Sequence, residues 1–373
     1  MQAAAASLSA TLIVRDEERV LEACLTSLKT VVDEIIVVDT GSVDRSVELA
    51  ADHGAKVSHF TWCDDFSAAR NFAIEQASGD WFLYIDADER VRPVDGDALR
   101  SALSAPAGVA GRVRFHPRTG FTAYREYRLY RRAPGLRFKG RVHETMLPEV
   151  HRRVAEEGAT IIDCDLTLDH VGYDGPQTHK ADRYLGLLAR AIETDPRRVY
   201  LWWHRGCVHH ELGQEGEAEA CWRHGLALAR DNAGRNGDDC LCHVELIKLE
   251  LARGGDAAEL IAEGRSLRPD NPLLQWLEAK SLMRREHFTD ATVLFAGLAA
   301  IDPETLVGEN SYDKRIFGVG AAELAADSAF RAGDYGAAAR WYGLVERQTA
   351  GAAEFRTKRL LAEMRGRALT RSA

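Results

Sequence analysis

The chain has 373 residues, enough for two or more domains, and an apolar-to-charged balance ordinary for a soluble globular protein. A net charge of -9 argues against nucleic acid as the main partner. Seven cysteines without a Cys-x-x-Cys pair exclude a metal finger or disulfide framework and suggest a reducing compartment. Met1 to Ala10 has no signal-peptide pattern and no apolar run is long enough to span a membrane, so the expected location is the cytoplasm.

Leu8 to Val14 reads as a first strand. Asp16-Glu17-Glu18 then opens a helix whose apolar positions Val20, Leu21, Cys24, Leu25 and Leu28 repeat with helical spacing. Glu34 to Asp39 is a second strand, apolar on both faces as buried parallel strands are. Asp44 to Asp52 is a helix ending at Gly54, Lys56 to Phe60 a short third strand, and Phe66 to Ala77 a helix carrying Arg70. Trp81 to Glu89 is the fourth strand, a buried run that delivers the carboxylates of Asp86, Asp88 and Glu89 at its tip. This β-α alternation implies a parallel sheet with right-handed crossovers, and ligands of such sheets bind outside the strands' carboxyl ends. Asp39 and the Asp86/Asp88 pair both sit at such ends. Residues i and i+2 of a strand share a face, so Asp86 and Asp88 can converge. Their mutual repulsion invites a hard divalent ion, Mg²⁺ or Mn²⁺. An isolated Asp-x-Asp is more often a helix cap; the company of Asp39 raises its weight.

Further strands are expected at Arg112 to His116, Ala123 to Arg132, Lys139 to Glu144 and Ala159 to Asp169. Alternation in the second of these puts Arg128 and Arg132 on one face, suited to a diphosphate, and leaves Arg125 and Arg131 on a solvated one. After Gly172 to Pro176 the chain turns helical. The triplets Gly206/Ala218/Trp222, Ala279/Ala291/Phe295 and Ala326/Ala338/Tyr342 fit the tetratricopeptide pattern, with irregular spacing between units. The expected organisation is an α/β catalytic domain over 1–175 and an all-α repeat domain over 176–373.

Several chemistries fail on the residues. Asp39-Thr40-Gly41 spells the aspartic-protease triplet, but no second triplet supplies the partner carboxylate. A dinucleotide enzyme needs Gly-x-Gly-x-x-Gly after the first strand, where Val14-Arg15-Asp16-Glu17-Glu18 stands instead. A nucleotidyltransferase on a similar sheet needs a basic, glycine-rich loop there, and this loop is acidic.

Four ordered blocks carry a resemblance. Arg15 to Glu18, Asp33 to Asp44, Asp65 to Asn71 and Trp81 to Glu89 strongly resemble family-2 glycosyltransferases of the GT-A fold. The likeness covers roughly the first 170 residues, and the helical repeats match a bacterial subgroup with peptide S-glycosyltransferases and lipopolysaccharide-core-type enzymes. Asp16 stands where the family usually has Asn, a change that keeps helix-capping chemistry. The resemblance implies a hexosyltransferase-like enzyme that inverts the anomeric centre, uses Mn²⁺ or Mg²⁺, and takes a nucleoside diphosphate sugar, a UDP-sugar first. It implies Asp39, Asp44, Arg70 and Asp86 as nucleotide-sugar contacts and Asp88 as metal ligand; Arg128 joins the nucleotide-sugar contacts from its place on the basic strand. Gly140 to Glu144 resembles the subgroup's Val-His-Glu block, which makes Glu144 the candidate base, His143 a second metal or phosphate ligand, and Glu89 the fallback base. The acceptor is then a peptide, protein or glycan held partly by the repeats, whose exposed faces also suit a homodimer. The rival of another class is a non-catalytic scaffold with a decayed transferase domain.

Overall fold

The computed structural model describes residues 5–172, 178–231, 240–306 and 308–372. These form two compact units, Met1–Thr194 with Val307–Ser311, and Asp195–Leu306 with Tyr312–Ala373. The expected domain boundary at 175/176, and Tyr173 beside it, lie outside the described residues.

The first unit is an eight-stranded mixed sheet with helices. In chain order it contains β1 (Leu8–Val14), α1 (Leu21–Leu28), β2 (Glu34–Asp39), α2 (Ser46–Asp52), β3 (Lys56–His59), α3 (Phe66–Gln76) and β4 (Trp81–Tyr84). There follow β5 (Glu89–Val91), α4 (Gly96–Leu103), β6 (Gly108–His116), β7 (Tyr124–Arg131), α5 (Leu147–Glu157), β8 (Thr160–His170) and α6 (Thr178–Thr194). The strand order is β3-β2-β1-β4-β7-β6-β8-β5. The four strands read first, β1 to β4, are parallel, as the β-α alternation implies. The rest departs from a parallel sheet, because β4–β7, β6–β7 and β5–β8 pair antiparallel.

Strand β5 lies at the far edge of the sheet, four positions from β4, yet only Ile85–Asp88 separates the two in sequence. In a flat sheet four steps would cover about 19 Å. The link from Tyr84 to Glu89 spans at most about 18 Å fully extended, and it is folded into a turn closed by Glu89 N–H donating to Asp86 O at 3.0 Å. The sheet therefore curls, and the end of β4 and the last strand face each other across one cleft.

The core follows the sequence pattern. Leu8, Ala10, Leu12 and Val14 on β1 and Leu21, Leu25 and Leu28 on α1 are buried together beneath Trp81, Leu83 and Ile85. At the amino-terminal edge of the parallel strands Glu34 acts as a staple: it accepts from Ser9 Oγ (2.6 Å), Lys56 Nζ (2.6 Å) and Ser78 Oγ (2.8 Å), tying β1, β3 and the turn before β4 to β2. Burial opposes ionisation of Glu34, but these donors outweigh it and lower its pKa from 4.5 to about 2.

Three expectations need correction. Lys139 to Glu144 is not a strand; apart from one bridge, Lys139 with Thr145, it is irregular, since glycine at 140 and His143 adopt positive φ. The helix after β1 starts only at Leu21, and Asp16 does not cap it. With φ of 58°, in the left-handed region that Asp and Asn tolerate better than most residues, Asp16 instead accepts from Val43 N–H at 2.8 Å. Arg125 and Arg131 are half-buried, not solvated; they donate to the carbonyls of Cys164, and of Gly108 and Ala105, within the sheet.

The second unit is helical: α7 (Val199–Glu211), α8 (Glu215–Asp231), α9 (Leu241–Arg253), α10 (Ala258–Leu267), α11 (Pro272–Arg284), α12 (Phe288–Ala299), α13 (Gly318–Arg331), α14 (Tyr335–Gln348) and α15 (Ala353–Ser372). Consecutive helices pack as the small–small–aromatic triplets require. A Cβ on Gly206 would lie 2.3 Å from Trp222 Nε1, so only glycine lets α7 approach α8 this closely. Ala279, Ala291 and Phe295 form one buried cluster, and Ala326, Ala338 and Tyr342 another. No described helix is long and apolar enough to cross a membrane.

Candidate active site

A cleft of about 590 Å³ opens at the carboxyl ends of β1, β2 and β4 and is lined by Arg15, Thr40, Trp62, Phe66, Arg70, Asp86, Asp88, Glu89, Arg128 and His170, among others. This is where a parallel sheet built from β-α units binds its ligands.

Its β1–β2 rim is held by hydrogen bonds between two loops. The loop after β1 docks on the loop after β2: Asp16 accepts from Val43 N–H, Glu17 N–H donates to Ser46 Oγ (2.8 Å), and Glu18 N–H donates to Asp44 Oδ2 (3.0 Å). Asp44 thus joins two loops, and it also accepts from Ser46 N–H. Asp39, buried at the end of β2, accepts from Ser42 N–H (2.9 Å) and Gly41 N–H (3.2 Å) and pairs with His59 (3.1 Å). Burial disfavours its charge, but Ser42, His59 and Gly41 together hold its pKa below the usual carboxylate value. Gly41 takes φ of 110° to close this turn, a conformation other residues rarely adopt.

The cleft floor carries the Asp-x-Asp segment. Asp86 and Asp88 are not on β4, which ends at Tyr84; they lie in the turn between β4 and β5, so the turn and not strand alternation presents both to the cleft. Asp86 Oδ1 accepts from Arg70 Nη2 at 2.8 Å, and Arg128 Nη1 lies 3.8 Å from its Oδ2. Burial raises the cost of the Asp86 charge, yet Arg70 and Arg128 keep its pKa below the ordinary value. Glu89, 1% exposed, accepts from Arg128 Nη2 at 2.7 Å and from Asp86 N–H at 3.0 Å. Burial outweighs Arg128 and, with Asp86 and Asp88 nearby, lifts the Glu89 carboxyl to about 7.

Asp88 meets a residue to which the sequence reading assigned no role. The antiparallel register of β5 on β8 sets Glu89 opposite His170, which brings His170 Nε2 to 3.1 Å from Asp88 Oδ2. The ring's Nδ1 lies 2.8 Å from Pro117 O, to which it donates. The hydrogen bond to Asp88, against the opposing effect of burial, raises the His170 pKa to about 9. Without an ion Nε2 carries a proton toward Asp88; an ion at the site would displace that proton, and with Nδ1–H fixed on a carbonyl Nε2 would be the ligating atom. Asp88 and His170 thus offer adjacent oxygen and nitrogen donors. No group of three His, Cys, Asp or Glu gathers as a metal cage among the described residues. Two protein donors with substrate phosphates completing the shell is how a hard divalent ion is commonly held at nucleotide sites.

The Val-His-Glu block is brought near the site without lining it. Glu144, 11% exposed, accepts from Arg70 Nε and is not among the cleft residues. His143, expected as a second metal or phosphate ligand, does not line the cleft that holds Asp88; its Nε2 lies 2.5 Å from Tyr184 OH of α6. Of the arginines on β7, Arg128 alone enters the cleft; Arg132, just past the strand, donates to the carbonyls of Gly79 and Ser78.

A curled mixed sheet with an acidic turn at the end of its fourth strand, facing an arginine-braced cleft, is the GT-A arrangement of glycosyltransferases. The family model described as glycosyl transferase family 2 matches residues 9–156. A lipopolysaccharide core biosynthesis glycosyltransferase of Rhizobium meliloti, LpsC, is 31% identical over 206 residues, covering 51% of this chain and 73% of that protein. The chain belongs to glycosyl transferase family 2. A TPR repeat-containing protein of Synechococcus elongatus is 39% identical over 59% of this chain and 56% of its own length. The glycosyltransferase SunS of Bacillus subtilis is 25% identical over 56% of this chain and 50% of its own. The chain spans about half the length of these last two relatives. Among solved structures, mannosyl-3-phosphoglycerate synthase from Rubrobacter xylanophilus aligns over 52% of this chain and 75% of its own, at 16% identity and a TM-score of 0.38.

Proposed function

We propose that the chain transfers a sugar from a nucleoside diphosphate sugar, a UDP-sugar first, to a peptide, protein or glycan acceptor, with inversion and with the help of Mn²⁺ or Mg²⁺. The observation that carries this reading is the pairing of Asp88 with His170 beside Asp86, Arg70 and Arg128 at the mouth of the parallel strands. Asp88 and His170 would hold the ion, which supplies positive charge to the departing diphosphate. Asp39, at the end of β2, is the group proposed for the nucleoside, and Trp62 and Phe66 give the same cleft an aromatic wall, packed edge to face at 4.8 Å. Asp86 stays ionised between two guanidiniums and is suited to accept from donor hydroxyls. Glu89 lines the cleft, and a carboxyl near pH 7 is matched to taking the acceptor's proton. The helical unit is proposed to contribute to acceptor binding.

Calorimetric titration of UDP, GDP, CDP and ADP, each with and without Mn²⁺, tests the donor class. Tight binding of one nucleotide that requires the ion is expected. A folded sample that binds none of them would falsify the transferase reading and favour a scaffold.

A further inference from the structure

Five charged side chains form one ladder, in the order Glu144, Arg70, Asp86, Arg128, Glu89, of which the last four line the cleft. The two guanidiniums approach opposite oxygens of the central carboxylate, Arg70 on Oδ1 and Arg128 on Oδ2. The Tyr84 ring lies against both, 4.9 Å from Arg70 Cζ and 4.6 Å from Arg128 Cζ. Each arginine is tied at another nitrogen by a glutamate, half-buried Glu144 on Arg70 Nε and buried Glu89 on Arg128 Nη2. An arginine has several rotatable bonds, and its fork aims accurately only when a second group fixes it.

The backbone around Glu144 is built for such a task. Asn71, next to Arg70 on α3, exchanges two hydrogen bonds with Phe138, its Nδ2 donating to Phe138 O and its Oδ1 accepting from Phe138 N–H, both at 2.9 Å. Phe66 N–H, at the start of α3, donates to Arg141 O at 2.9 Å. Lys139 and Thr145 close the segment with reciprocal backbone bonds of 3.0 and 2.9 Å. The loop that carries Glu144 is therefore bolted to the helix that carries Arg70. A general base, by contrast, must come within about 2.6–3.2 Å of the acceptor's proton, or reach it through one water. Glu144 lies outside the cleft lining, whereas Glu89 lines it.

We propose that Glu144 is a positioning residue and not the base: through Arg70 it fixes the Asp86 carboxylate in the geometry the donor requires, and Asn71 fixes the loop that holds Glu144. This rests on the donor reading of the cleft given above.

The test compares wild type, E144Q, E144A and N71A by donor saturation kinetics and by the pH profile of kcat, with folding followed by thermal melting. E144A is expected to raise the donor KM and lower kcat/KM by a factor on the order of 10². E144Q, which can still accept from Nε, should show a smaller rise in KM. N71A, which offers no proton acceptor in place of a base, should shift KM in the same direction as E144A. All three should keep the acid limb of the profile. A fall in kcat of about 10²–10⁴-fold in E144Q with donor KM unchanged and the acid limb lost would make Glu144 the base and overturn the proposal. A second arm needs no turnover: melting of E144A, D86N and the double variant. Non-additive Tm shifts are expected if Arg70 couples the two carboxylates; additive shifts would overturn the ladder. Should the wild type bind no nucleotide while the shifts remain non-additive, the donor reading fails and only the coupling of Glu144 to Asp86 through Arg70 stands.

Discussion

The two units bury different things. In the first, Asp39, Arg70, Glu89 and Arg128 are all buried at the cleft or its rim, whereas among the described residues of the second no Asp, Glu, Lys or Arg is buried. There, glycine and alanine sit under aromatic rings, as Gly206 does under Trp222. The contrast separates two uses of an interior. Close packing of small on large residues fixes how helices stack and needs no charge. Buried ion pairs are poor stabilisers, since desolvation offsets much of their attraction, but they hold charged groups in set positions. A protein that needs carboxylates at defined points in a cleft uses the second device where chemistry is expected and the first elsewhere.

The contrast can be broken most severely at Arg128. R128A leaves Glu89 and Asp86 facing each other without their shared cation, and an expected loss of about 3–5 kcal/mol should appear as a lowered Tm of the first unit. A loss near zero would mean the ladder is not coupled to the fold. Asp88 should behave in the opposite way. It is 32% exposed and its side chain pairs with His170, so D88A should leave melting nearly unchanged while ion-dependent donor turnover falls by about 10²–10³-fold. Full activity in D88A would sink the metal assignment.

The staple at Glu34 offers a pH-dependent version. Its folded pKa of about 2 lies below the unfolded 4.5, so its contribution is complete above pH 4.5 and is lost as pH falls toward 2. The shift corresponds to no more than about 3 kcal/mol. Wild-type Tm should therefore drop over this window more steeply than that of E34Q, which lacks the titrating group; parallel curves would remove Glu34 as the cause. The smallest effect belongs to the helical unit. G206A forces a methyl against Trp222, and about 1–3 kcal/mol of overpacking strain is expected. It should lower the helical unit's melting transition and leave the metal-dependent nucleotide binding proposed for the first unit intact.

Much of this molecule is written locally in the chain. Alternating and 3.6-residue patterns gave β1 to β4 and the helices between them, and the acids at strand ends marked the cleft, because period and strand polarity are properties of neighbouring residues. The Asp16-to-Glu18 and Asp39-to-Asp44 blocks were visible as motifs, though their mutual hydrogen bonds were not. The small and aromatic positions of the repeats were visible for the same local reason. Tertiary structure alone decided the pairings between distant segments. His170 reaches Asp88 only because β5 leaves β4 through a tight turn and pairs with β8 at the other edge of a curled sheet. Glu144 reaches Arg70 only because the irregular loop before α5 is fastened to α3. Spacing along a chain carries the geometry of one turn or one strand, whereas contacts across 74 or 82 residues depend on how the sheet closes.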